Sequence, residues 1–352
     1  MVRHENRTGW KKMNRRTLVA VTGASLVAAT GATIPLRFAH AQSPLVIHLG
    51  WAITPAQLPP IIFANPAILK HYGKTYTVEL NYFKGSAPQI TALAANELQI
   101  AALAFSSFAL AIQNAHMTDL RAIGDLYQDG VPGYYSSQYV VRADSPIHTV
   151  ADLKGKIIAS NGLGGAIDMA MRKQLRDAKL EDKRDYSVIE VQFPNMPAML
   201  ESGKVDLAGM VAPFSLDQIG SGKARPLFTI KDAMGVTQTT LLAARAPFIE
   251  KNRPALVDFF EDLQIGTRWL LDPANRDPAL ALVSKVTKQP PADFAKWLFT
   301  KDDYYRDPLI RPNLDALQNN IHVQKDLGFL KSDVDVPKFA DLSLAEEAAK
   351  RP

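Results

Sequence analysis

Two stretches decide the fold: Ala94–Ser107, AANELQIAALAFSS, and Glu201–Phe214, ESGKVDLAGMVAPF. Each follows a helix-like segment closing on leucine (Leu93, Leu200), turns a short polar corner and enters an apolar run. Each ends in small and aromatic residues, and the two lie 107 residues apart. Outward from the first copy, Leu45–Trp51 reads as a buried strand, and PIIFANPAILKHYG (60–73) as a helix ending at Gly73. Tyr76–Phe83 alternates as a strand, APQITALAANEL (87–98) reads as a helix with Pro88 in its first turn, and QIAALAF (99–105) as a strand.

Around the second copy the order returns. GKIIASNG (155–162) is a strand entering a glycine-rich corner, and AIDMAMRKQLRDAKL (166–180) is an amphipathic helix. YSVIEVQF (186–193) is a strand, MPAMLESGK (196–204) a helix and VDLAGMVA (205–212) a strand. The rhythm βαβαβ, met twice, predicts an α/β chain with two parallel-sheet units. Gly133–Ile147 and Gly235–Arg245 read as extended segments flanking the second unit, as two strands crossing between two lobes would be. The expected limits are residues 44–136 plus 240–352 for lobe 1 and 137–239 for lobe 2. From Pro247 onward the pattern is mostly helical, including PADFAKWLF (291–299), and should pack on lobe 1.

Residues 1–41 stand apart. Arg15-Arg16, a Gly/Thr/Ala-diluted apolar stretch and Ala39-His40-Ala41 form the pattern of an export signal of the twin-arginine type, with Met1 or Met13 as the start and Gln42 as the first residue after cleavage. The chain carries 40 basic and 35 acidic residues, but 7 basic and 1 acidic lie in this leader, leaving 33 against 34. The remainder therefore has no basic footprint for nucleic acid. With no cysteine, disulfides, thiol nucleophiles, thiolate metal sites and lipid attachment are excluded. The histidines outside the leader (His48, His71, His116, His148, His322) are scattered, so no catalytic residue, metal or cofactor is assigned. A soluble periplasmic protein acting as a monomer is expected.

The stretches DLKGKIIASNG (152–162), MLESGKVDLAGMVAPF (199–214) and GVTQTTLLAARAPFIEKNRPALVDFF (235–260) resemble the periplasmic solute-binding proteins of ABC importers, in the nitrate/sulfonate/taurine-type family that also includes pyrimidine-precursor binders. DLGFLKSDVDVPKFADLSLAEEA (326–348) is similar as well. The resemblance implies a type II periplasmic binding-protein fold, two βαβ-based lobes joined by a two-strand hinge, with a ligand in the cleft. It also implies an ABC permease and its ATPase as partners. A sensory binding protein reporting to a receptor would use the same cleft, and an enzyme on the same fold is the remaining alternative. Two positions depart from the family pattern: Asn96 and Gln99 stand where the second copy has Gly203 and Asp206, the latter read as a hydrogen-bonder at a strand start.

In open parallel sheets ligands sit beyond the carboxyl ends of strands. That rule selects Trp51 and Thr54, Phe83, and Phe105, Ser106 and Ser107 in lobe 1. In lobe 2 it selects Ser160, Asn161, Gly164 and Gly165, then Phe193 and Asn195, then Pro213 and Phe214, with Thr237 near the hinge. SNGLGGAID (160–168) is the expected anion site, its glycines leaving N–H groups open at a helix start. No arginine falls in these corners and Lys84 is their one cation, which favours a small organic anion, a sulfonate or carboxylate with an apolar body, over an inorganic ion.

Overall fold

The repeated corner is built the same way twice. Asn96 and Gly203 both take left-handed backbone, with φ of 58° and 67°, a conformation that asparagine tolerates and glycine adopts freely. Three residues on, Gln99 Oε1 accepts from His48 N at 2.9 Å, and Asp206 Oδ2 accepts from Ile157 N at the same distance. Backbone bonds run the other way, from Gln99 N to His48 O and from Asp206 N to Ile157 O. Glutamine and aspartate thus do one job, joining the incoming strand to its neighbour.

The computed structural model describes residues 43–351; the export-signal reading of residues 1–41 and the choice of start lie outside the described residues. The first part runs β1 (Leu45–Trp51), α1 (Pro59–Ile62), β2 (Tyr76–Tyr82), α2 (Ser86–Ala94), β3 (Ile100–Ala104), α3 (Phe105–Gln113) and β4 (Leu120–Asp129). The second runs β5 (Gln138–Arg142), β6 (Lys156–Ser160), α4 (Ala166–Asp177), β7 (Tyr186–Glu190), α5 (Met196–Glu201), β8 (Leu207–Met210), α6 (Phe214–Gly220), β9 (Ala224–Thr229) and α7 (Ile230–Met234). The chain closes with β10 (Thr237–Arg245), α8 (Ala246–Leu271), α9 (Arg276–Thr287), α10 (Leu314–Asp326) and α11 (Ser343–Ala349).

Two five-stranded sheets result, ordered β2-β1-β3-β10-β4 and β7-β6-β8-β5-β9. Each is mixed, not parallel throughout: β10 runs antiparallel to β3 and β4, and β5 antiparallel to β8 and β9. The strands entering from the other sheet are the ones reversed. In the second sheet burial alternates with the pleat. Tyr139, Val141, Ile158 and Leu207 join the large apolar cluster that runs through the first sheet, while Val140, Ala159 and Ala208 face a smaller one with Met196 and Leu200. The C-terminal helices α8, α10 and α11 pack on strands of the first sheet, and α10 also meets α4 of the second part.

Three local expectations fail. The helix expected over residues 60–73 is a single turn at Pro59–Ile62 and a 3-10 turn at Pro66–Ile68. Pro66 stops the first, and beyond the second the N–H groups of Lys70, His71 and Tyr72 turn to the Asp262 carboxylate instead of to helix carbonyls. Phe105, expected to end a strand, begins α3, so Ser106 and Ser107 lie inside that helix. PADFAKWLF forms a 3-10 turn at Pro291–Asp293 followed by turns, where Phe294 and Leu298 are buried.

Candidate functional site

Strand register fixes where the two sheets are joined. Asp129, the last residue of β4, pairs with Thr237, the first of β10. Along β10, Thr240 stands opposite Tyr127 on one side and Ala104, the carboxyl end of β3, on the other. On the second sheet, Gln138 opens β5 opposite Met210, the last residue of β8, and Thr229, the last of β9. The two crossings, residues 130–137 and 230–236, therefore link the carboxyl-end edges of both sheets. This is the region that the strand-end rule selects.

On the first side Trp51 and Phe83 are half-buried and joined by the bond from Phe83 N to Trp51 O, with the Tyr82 ring 5.0 Å from Trp51. Thr54 is half-buried and precedes cis Pro55. Gln57 Oε1 takes the N–H groups of Ala52 and Ile53 in that corner. Phe105 and Ser106 are fully buried and Ser107 half-buried. The Ser106 hydroxyl has no hydrogen-bond partner, while its carbonyl accepts from Gln324 Nε2 at 3.0 Å.

On the second side Ser160 is fully buried and Asn161 half-buried, and Ser160 Oγ and Asn161 Oδ1 are both without partners. Gly164 and Gly165 do not leave their N–H groups open as expected. Gly164 N donates to Asp168 Oδ2 at 2.8 Å and Gly165 N to Gly162 O at 3.1 Å. The corner is capped from within by an acid in the first turn of α4. Phe193 and Phe214 stack with centroids 6.5 Å apart and planes at 15°, forming one apolar wall beside Pro213. Asn195 is exposed, and Thr237 is fully buried at the start of β10.

Several residues of this region were not legible in the sequence. Tyr127, Tyr135 and Tyr304 form a buried cluster, with Tyr304 centroids 4.6 Å from Tyr127 and 5.1 Å from Tyr135. Tyr304 OH pairs with Ser137 Oγ at 2.9 Å, and Tyr135 OH with Ser215 Oγ on α6. Beneath them Asp129 accepts from Ser136 Oγ at 2.5 Å and Ser137 N at 2.9 Å. Burial pushes its carboxyl up to about 6, against these hydrogen bonds. Gln138 Oε1 is buried without a partner. Among the described residues no three His, Cys, Asp or Glu side chains gather as a metal site, and no helix is long and apolar enough to cross a membrane.

A family model described as the NMT1-like family matches residues 41–284. The chain belongs to the NMT1-like family. No curated protein matches this NMT1-like chain in sequence. Among solved structures, the alkanesulfonate-binding protein SsuA from Xanthomonas axonopodis pv. citri bound to MOPS is similar, with a TM-score of 0.66 at 18% identity, covering 86% of this chain and 100% of that one. The periplasmic nitrate-binding protein NrtA from Synechocystis PCC 6803 gives 0.68 at 18%, covering 87% and 89%. The desulfurization enzyme DSZB gives 0.63 at 14%, covering 87% and 99%. The fold is that of periplasmic substrate-binding proteins, and the same fold carries an enzyme.

Proposed function

We propose that this chain is the substrate-binding component of an ABC-type importer, exported to the periplasm and acting as a monomer. It captures a small organic anion, a sulfonate or carboxylate, between lobe 1 (residues 44–136 and 240–352) and lobe 2 (137–239), and delivers it to the permease and its ATPase. The reading is carried by one observation: the crossings join two carboxyl-end edges, and each edge holds a buried serine hydroxyl without a partner, Ser106 on one and Ser160 on the other. A ligand that bonds to both edges favours the closed arrangement by the free energy of those contacts, with rotation at residues 130–137 and 230–236.

Ligand screening by thermal shift tests it. At least one small sulfonate or carboxylate is expected to raise the melting temperature of the purified protein. Small-angle scattering with that ligand should show a smaller radius of gyration. A wide panel of sulfonates, carboxylates and pyrimidines with no effect removes the reading. The likeness to DSZB supports a second reading, an enzyme on this fold. Mass spectrometry of the bound ligand after long incubation separates the two, since a binding protein returns it unchanged.

A further inference from the structure

The two edges present unlike corners. On the first, α3 starts directly at the end of β3. Ala104 at its N-cap offers no side-chain acceptor, and no acid stands in its first turn. The N–H groups that open a helix have no intrahelical partner and carry partial positive charge. Ser106, the second residue of α3, is 0% exposed, and its hydroxyl, among these donors, has no partner.

The second edge is the reverse. Asp168 stands in the first turn of α4 and is 0% exposed. Its Oδ2 accepts from Gly164 N and from Arg172 Nε, both at 2.8 Å, but its Oδ1 has no partner. Asn161 Oδ1, in the same corner, is also buried and without a partner. A carboxylate already occupies the positive end of α4, so a ligand anion placed there would meet a like charge. The residue matching Ser106 beyond the second repeated corner is closed too. Ser215 follows Phe214 as Ser106 follows Phe105, and its hydroxyl is taken by Tyr135.

We infer that the ligand is an organic acid with an N–H or O–H donor at its far end. Its acid group lies on the start of α3 with Ser106, and its donor on Asn161 Oδ1 and Asp168 Oδ1. This rests on the proposed reading of the edge-to-edge region as the ligand site. The acid then receives hydroxyl and backbone hydrogen bonds without an arginine, and the donor satisfies acceptors that a plain oxyanion would leave unpaired. The Phe193–Phe214 stack suits a flat body between the two ends.

Calorimetry on the full chain with matched probes tests the inference: benzoate, 4-methylbenzoate, 4-hydroxybenzoate, 4-aminobenzoate and the corresponding benzenesulfonates. The hydroxy and amino members should bind at least about tenfold more tightly than the unsubstituted and methyl members, the scale of one satisfied buried hydrogen bond. Ser106→Ala should weaken both classes by a common factor. Asn161→Ala, and separately Asp168→Asn, should bring the donor-bearing acids down to the level of the plain ones. If plain acids bind as tightly as donor-bearing ones in the unaltered protein, the inference is overturned and the site reading stands. If Ser106→Ala changes nothing, or no acid binds, the site reading falls and the inference with it. Tight binding of aniline or phenol with no acid group overturns the acid half.

Discussion

Replacing Gly130 with alanine should separate strain from collision where the two crossings touch. Gly130 has φ of +73°, and a Cβ there would lie 2.8 Å from the Gly235 carbonyl oxygen and 3.1 Å from Lys231 Cβ. Gly133, three residues along the same crossing, has φ of +81° but nothing within 4 Å of its Cβ. Left-handed backbone costs an alanine about 1–2 kcal/mol, and stiffening the unfolded chain returns about 0.4–1 kcal/mol. Gly133→Ala should therefore lose roughly 0.5–1.5 kcal/mol. Gly130→Ala carries the same term plus the displacement of a backbone carbonyl that cannot swing aside, a further ~1–3 kcal/mol. Urea unfolding followed by far-UV circular dichroism should give the two losses. Scattering on the folded proteins should show an altered radius of gyration for Gly130→Ala alone, because Gly235 lies on the other crossing. Equal losses for the two variants, with unchanged scattering, would refute the close approach of the crossings.

Other expectations concern the core, the titrating groups and the repeated corner. Asp262→Ala should cost more than about 3 kcal/mol by urea unfolding, since the buried carboxylate accepts from three consecutive N–H groups and from Tyr76 OH at 2.7 Å. Burial raises Asp125 to about 7 and Asp129 to about 6. Both are held more easily as neutral acids in the fold than in the unfolded chain. Their stabilisation is fully present below the ordinary carboxylate range near ~4 and is lost as pH rises through 6 to 7. Glu261 opposes this at the acid end. Despite its desolvation, hydrogen bonds from Lys70, Arg351 and His71 hold it down to about 2, so its contribution is present above about 4.5 and lost as pH falls to 2. Calorimetric melting should peak between these windows and decline toward pH 8, and Asp125→Asn should flatten the alkaline decline. Gln99→Ala and Asp206→Ala should each cost about 1 kcal/mol in the same unfolding assay, because both remove the acceptor of a neighbouring strand's N–H.

The parts of the fold legible in the sequence are those whose partners are close along the chain. Each corner closes within one βαβ step, so its period and its Asn96 or Gly203 announce it. β4 carries no clear strand signal, because LRAIGDLYQD has Asp125, Gln128 and Asp129 among its apolar residues. Two of those groups are buried on partners remote in sequence, Asp125 on Gln238 and Asp307 N and Gln128 on Asn313, while Asp129 is held by Ser136 and Ser137 of the crossing that follows. β9 hid behind Pro226, which the sheet tolerates because β9 is its edge. At the site the strand-end rule chose the corners, but it could not say which donors remain free. The signal was present in one place: Asp168 lies three residues after Gly165, the position from which an acid reaches back to cap its own helix start. The tyrosine cluster gave no such sign, since Tyr304 joins Tyr127 and Tyr135 from an irregular segment nearly 180 residues away.

A duplicated frame with unequal corners has a consequence for orientation. The backbone work is shared evenly at the corners, since Gln99 and Asp206 perform the same bond, and a Phe-Ser pair, Phe105-Ser106 or Phe214-Ser215, begins the helix that follows each. A symmetric pair of edges would hold an asymmetric ligand equally well in either direction. The symmetry is broken by two side chains outside the repeated stretches. Tyr135, on a crossing, takes the hydroxyl of Ser215, and Asp168 fills the start of α4. Both act on the second edge and take donors from it, leaving it the Ser160 hydroxyl, while the first edge keeps Ser106 at an uncapped helix start. On the proposed reading, the direction in which a ligand lies would be set by these two side chains of the second edge. ESGKVDLAGMVAPF builds the corner, its terminal Phe214 supplies an apolar wall, and the polar choice is made by Asp168 and Tyr135 around it.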